Sequence, residues 1–251
     1  MNNKSYIPAG SAIVLLITLL IAPQTSTGRV FERWRSRGTI SETMTRLGAT
    51  ELISGNITIN DGNGNISVFG IGKPLTSAWP AIIRDNDTER PHIPSGTMAF
   101  AKIHGDNIIN SLLGLALPDN KNSIIFVLQQ TPRQSELSRN NDGKHRLNNL
   151  PFYANSKPFF FAGHDENRFK IEISRSTDAP EVIRMNMDSS LRGRGWLRIS
   201  PAEQHNLPSL IAYGRENESC WLFIAPEEIR PGAKTTIAII HKRKTYRSPV
   251  F

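Results

Sequence analysis

The chain reads as an α+β protein, and three observations carry that reading. Apolar residues alternate with polar ones at period two in several short segments spread along its 251 residues. Its 18 glycines and 16 prolines call for many turns and short elements. A few stretches have helical spacing, and none is long enough for a bundle. Together they predict two units of antiparallel strands with short helices, behind an N-terminal hydrophobic segment.

That segment spans residues 11–28, SAIVLLITLLIAPQTSTG. Residues 13–21 are apolar apart from Thr18. With residues 7–10 the run reaches about sixteen, short for a spanning helix and long for the core of an export signal. Lys4 precedes it, whereas Arg29, Arg33, Arg35 and Arg37 follow it. The four arginines favour a cytoplasmic downstream side by the positive-inside rule. The leading lysine, the compact apolar core and the small-residue exit at Ser26-Thr27-Gly28 favour export. Export is the reading adopted. Residues 1–28 are a signal peptide or signal anchor, with any cleavage after Gly28. The remainder is expected outside the cytoplasmic membrane, periplasmic or secreted, and tethered by one span if uncleaved.

Residues 29–130 form the expected first unit. GTISETMTRLGA is a short helix, with Thr39 and Glu42 at capping-box spacing and Gly48 as its stop. ELISGNITINDGNGNISVFGIG carries the strongest hairpin signal: Ile57 and Ile59 alternate before the turn residues 60–65, and Ile66 and Val68 resume the alternation. These glycines are turn chemistry, since no helix opens directly behind them to cradle a phosphate. LTSAWPAIIRD is a short helix in which Pro80 is tolerable only in the first turn. GTMAFAKIHG and SIIFVLQQ are strands, and IINSLLGLALPDNKN is read as their connection. Residues 131–149 are polar, turn-rich and aperiodic, hence a linker or long surface loop.

Residues 150–251 form the second unit. FFFAGHDENRFKIEI is a hairpin, TDAPEVIRM a helix, and GWLRIS, NLPSLIAYG, SCWLFIAP and KTTIAIIHK are strands before a basic tail. Setting Gly96 on Gly195 brings residues 124–127 onto 221–224, an internal repeat at an offset of 97–99 residues.

The formal net charge is +8. Its excess gathers in three groups: Arg29, Arg33, Arg35 and Arg37; Arg192, Arg194 and Arg198; Lys242, Arg243, Lys244 and Arg247. These are the candidate contacts for an anionic surface. No zinc-finger spacing, aromatic RNA-binding signature or glycine-rich nucleotide loop accompanies them, which disfavours nucleic acid. Cys220 is the single cysteine, which excludes an intrachain disulfide and cysteine-based metal centres, and its apolar context reads as a buried strand.

No catalytic, cofactor or metal motif emerges. The six histidines form no helical pair, and His164-Asp165-Glu166-Asn167 reads as a solvated turn; Glu203 and His205 read the same way. Ser95 lies near His92 but lacks the nucleophile elbow. Asn56, Asn65, Asn86 and Asn217 head glycosylation sequons that matter only in a eukaryotic secretory pathway. The function expected is a non-enzymatic envelope protein that binds, scaffolds or assembles, with envelope proteins as partners and the membrane contacted through the N-terminal segment. The alternatives are an exported hydrolase whose site is assembled in space, and a binder of nucleic acid or another anionic polymer through the basic groups.

Overall fold

Asn60 and Asp61 have φ of 46° and 72°, the pair of left-handed conformations that a type I′ turn demands and that Asn and Asp tolerate. They join β1 (Thr50–Ile59) to β2 (Gly62–Ile71) in the predicted hairpin. The computed structural model describes residues 38–84, 98–105, 107–117, 119–137, 147, 149–164, 169–199, 210–226 and 234–243. The N-terminal hydrophobic segment and the first arginine group lie outside them. No helix among the described residues is long and apolar enough to cross a membrane.

Helix α1 (Gly38–Arg46) precedes the hairpin. It already includes Thr39, which is therefore not its cap. Its stop is as expected: Gly48 has φ 71°, and the amides of Gly48 and Ala49 donate to the carbonyls of Thr45 and Met44, a Schellman closure. Helix α2 (Leu75–Arg84) contains Pro80 as its sixth residue, beyond the first turn. Its buried stripe of Leu75, Ala78, Trp79, Ile82 and Ile83 holds the helix in place despite the missing donor.

The three strands that follow are β3 (Met98–His104), β4 (Ile109–Ala116) and β5 (Ser123–Gln130). Strand β4 falls in the stretch expected to be a connection. It lies between β3 and β5 and is buried on both faces from Ser111 onward, so residues 112–116 read as an apolar run without alternation. The region expected to be a linker contains helix α3 (Pro132–Leu137), and Leu147 and Leu150 beyond it are buried.

The second half begins with the hairpin β6 (Ser156–His164) and β7 (Phe169–Ser176). Helix α4 (Pro180–Gly193) follows, with proline at its first position where no donor is lost. Then come β8 (Leu197–Arg198), β9 (Leu210–Arg215), β10 (Glu218–Pro226) and β11 (Thr235–Arg243).

The eleven strands of the described residues form one antiparallel sheet in the order β3-β4-β5-β2-β1-β6-β7-β11-β10-β9-β8. Beginning at β1 and reading outward, the first half runs β1-β2-β5-β4-β3. Beginning at β6, the second runs β6-β7-β11-β10-β9, so the two halves share one strand order, each with a helix after its hairpin. The offset of 97–99 residues does not follow this order. It sets β5 on β10, whereas β11 is the strand that pairs with β7 as β5 pairs with β2. The extra two-residue strand β8 puts the sequence comparison out of step by one strand.

The sheet doubles over. Phe126 on β5 and Phe169 on β7 stack with centroids 6.1 Å apart, although four strand spacings, about 19 Å, separate them along a flat sheet. Phe100 on β3 meets Phe160 on β6 at 5.5 Å. The shared inner face buries Ile57, Ile66, Phe126, Leu128, Phe160, Ile171, Trp221 and Phe223 from both halves. The outer face of the first half carries α1 and α2 over Ala101, Leu112, Ile125 and Val127. The outer face of the second carries α4, Leu147, Leu150 and Tyr153 over Ile211, Leu222, Ile237 and Ile239. The result is helix, sheet, sheet, helix. Contact on the first outer face is close: a Cβ at Gly114 would lie 2.7 Å from Leu75 Cδ1 and 2.9 Å from Trp79 Cε3.

Candidate functional site

Strand alternation gathers a polar cluster where the outer face of β9, β10 and β11 runs out from under α4. Glu218 on β10 is paired across strands with Arg215 on β9 and Arg243 on β11. Two pairs further in, on the same face, Cys220 lies between Tyr213 and His241, and His241 faces Lys170 on β7. The two-residue turn Glu216-Asn217, with Glu216 at φ 48°, sets this register.

Glu218 is the hub. Arg215 Nη2 donates to its Oε2 at 2.7 Å, Arg243 Nε lies 3.7 Å from Oε1, and His241 Nε2 lies 3.8 Å from the same oxygen. Above them sits Trp196. The amides of Gly195 and Trp196 donate to the carbonyls of Arg192 and Leu191, and Gly195 at φ 81° turns the chain so that the indole drops into the core. Arg215 stacks over the indole at 4.8 Å and donates from Nη1 to the Arg194 carbonyl at 3.3 Å. The His241 ring meets the indole edge-on at 6.0 Å. Tyr213 donates to Asp188 Oδ1 at 2.8 Å, and Arg192 Nε pairs with Asp188 Oδ2 at 2.9 Å.

Burial sets the protonation states. It pushes the His241 imidazole below its ordinary range, opposed by Glu218 and reinforced by Lys170, Arg215 and Arg243. It pushes the Cys220 thiol far up, and the Tyr213 hydroxyl goes up through burial and its bond to Asp188. The thiol is 1% exposed and stays protonated, so its neighbour His241 does not make it a nucleophile. Both His241 Nε2 and Trp196 Nε1 are buried without a hydrogen-bond partner. The chemistry this supports is polar and cationic binding at the rim over an inert floor.

The second and third basic groups meet here in part. Arg192 and Arg194 end α4, Arg198 lies on β8, and Arg243 reaches Glu218. Lys242 does not join them. It alternates to the inner face beside Ile240, where burial lowers its amine pKa. Lys244 and Arg247 lie outside the described residues, as do Ser95, His92, Glu203 and His205. Of the His164–Asn167 stretch only His164 is described, at the end of β6 over Gly55. Among the described residues, no three His, Cys, Asp or Glu side chains are grouped to hold a metal.

Sequence reasoning missed Arg215, Glu218, His241 and Trp196 as a set. Charges flanking the turn in YGRENES were the available signal; the third strand that completes the cluster lies more than twenty residues on. Beside the cluster, at the sheet edge, Leu197 and Ile199 are 74% and 49% exposed, with Arg198 between them and Arg194 just before. No protein-family model, curated protein or solved structure matches this chain.

Proposed function

We propose that the protein is a non-enzymatic binding module of the cell envelope, lying outside the cytoplasmic membrane and recruiting a protein partner through the β8 edge. The observation that supports this is the exposure of Leu197 and Ile199 on one side of the β8 edge, with Arg198 on the other side opposite Tyr213 and Arg192 and Arg194 at the end of α4. Large apolar side chains framed by arginines are the composition of recognition surfaces. The surface is cationic, so the partner segment is acidic at its rim and apolar at its centre. The export features of residues 1–28 support the location, and a retained segment would add a membrane tether.

The test crosslinks purified membranes bearing wild-type protein or Leu197→Asp/Ile199→Asp. A defined adduct present with the wild type and lost with the double variant, at unchanged melting temperature, is the expected result. An identical adduct pattern with both proteins rejects the β8 edge. N-terminal sequencing reads the processing: a start at Arg29 means cleavage.

One observation favours a second reading, binding of an anionic polymer: Arg192 and Arg194 at the end of α4 lie on the same outer face as Arg215 and Arg243, which bracket Glu218. That reading requires binding to fall steeply with salt, whereas docking through Leu197 and Ile199 persists. We also infer that the chain arose by duplication of a β-β-α-β-β-β unit. The repeated strand order supports this inference, with β8 as an addition to the second copy.

A further inference from the structure

The first half carries a different polar feature on its outer face, one strand-pair step beyond the apolar rows under α1 and α2. Asn110 on β4 faces Gln129 on β5, Gln129 faces Asn65 on β2, and Asn65 faces Asn56 on β1. Alternation puts Asn110 on the face of Leu112 and Gln129 on the face of Val127. The four amides therefore form one row across four neighbouring strands, about 14 Å long at the usual strand spacing. Asn56 is exposed and the other three are half-buried.

None of the four side chains makes a hydrogen bond or ion pair with another described residue. The Asn110 Oδ1 atom is fully buried and without a partner. A primary amide offers two donors and two acceptor lone pairs. The amides of Asn56, Asn65 and Gln129 stay within reach of water, whereas leaving the buried Asn110 Oδ1 without a partner is costly. The topology does not demand them. The corresponding row in the second half is Cys220, His241, Lys170 and Gly163, one cation and no amide.

We propose that this row is a binding surface for a neutral polyhydroxylated polymer, a glycan strand laid across β4, β5, β2 and β1. A sugar hydroxyl both donates and accepts, as an amide does, so each side chain can engage a pair of neighbouring hydroxyls. The row itself carries no charge, which selects against anionic and cationic ligands. It lies on the opposite half of the sheet from β8 and does not depend on the partner surface there.

The experiment is isothermal titration of the full chain with cello-oligosaccharides and chito-oligosaccharides, from two to six sugar units. Affinity is expected to rise with length to about four units and then level off, as a surface of this extent requires. It should be unchanged by added salt, unlike binding at the arginines. Asn65→Ala and Gln129→Ala each weaken binding by roughly three- to tenfold. Asn65→Asp, similar in shape but lacking the amide donors, does likewise, and Lys170→Ala leaves it intact. If a variant melts early, Asn56→Ala at the exposed end replaces it. No heat with either series, equal affinity of the row variants and wild type, or affinity that collapses with salt would each overturn the proposal.

Discussion

Cys220 and His241 sit side by side in the sheet, yet each is placed to be chemically silent. The sequence ESCWLFIAP suggested a buried thiol, and the strand places it 1% exposed. Thiol-reactive reagents should therefore label Cys220 only through unfolding, with labelling tracking denaturant in a protection assay. Labelling at the rate of a free thiol in buffer would contradict the packing. His241 was an undistinguished strand residue in the sequence; its burial depends on Trp196, more than forty residues away. Because burial lowers its folded pKa, the unfolded chain binds the proton first as pH falls. The stability His241 contributes is thus complete above about pH 6.5 and is lost as the pH drops below it. Melting temperatures at pH 7.5 and 5.5 should differ more for the wild type than for His241→Gln. Glu218 works against this loss and Lys170, Arg215 and Arg243 work for it, so equal differences would show that Glu218 prevails.

At the scale of elements, turns were the most legible feature and packed strands the least. The Asn60-Asp61 turn was readable because two consecutive positive φ angles restrict residue type. Strand β4 was not, because burial on both faces removes the alternation that marks a strand. Pro80 was misjudged for a related reason: local preference forbids it at the sixth position, and the five buried side chains of α2 outweigh the preference. The polar cluster lies at the junction of elements, where cross-strand partners are set by topology, which sequence spacing does not encode. The α4 closure offers a test at this scale. A Cβ at Gly195 would meet nothing within 4 Å, so Gly195→Ala carries backbone strain alone and should cost about 1 kcal/mol in chemical denaturation. A larger loss would mean that Trp196 has been displaced from the core, and near-ultraviolet dichroism reports it.

For the whole molecule, the α+β reading of the sequence holds at the coarse level of an antiparallel sheet with short helices. The doubling-over was not legible, because period two shows that a strand has two different faces but not what each face meets. The inner face consists of both halves in register across β1 and β6, where only Thr58–Gly163 and Ile59–Ala162 are paired. Asn60 extends this seam: its amide donates to the Phe161 carbonyl at 2.9 Å, and its Oδ1 accepts from the Phe161 amide at 2.7 Å. With so short a ladder, the halves hold together mainly through apolar burial. A polypeptide of residues 38–137 alone would leave Ile57, Ile66, Phe126 and Leu128 uncovered. It should self-associate, and mixing it with residues 147–243 should restore a one-to-one complex. Sedimentation that finds a stable monomer of the first half would separate the two cores.

The last described strand in the chain is an interior strand of the sheet. β11 pairs with eight residues of β7 on one side and nine of β10 on the other, so until it arrives the second half is two unjoined ribbons. A polypeptide that leaves a ribosome or a translocation channel N-terminus first delivers this closing piece after every other described strand of the sheet. Closure of the second half then waits for β11, and until that strand arrives the edges of β7 and β10 that it will cover stay open to whatever holdase or quality-control protease meets them. Loss of a few residues of β11 would accordingly be felt as failed biogenesis rather than as a weakened mature protein.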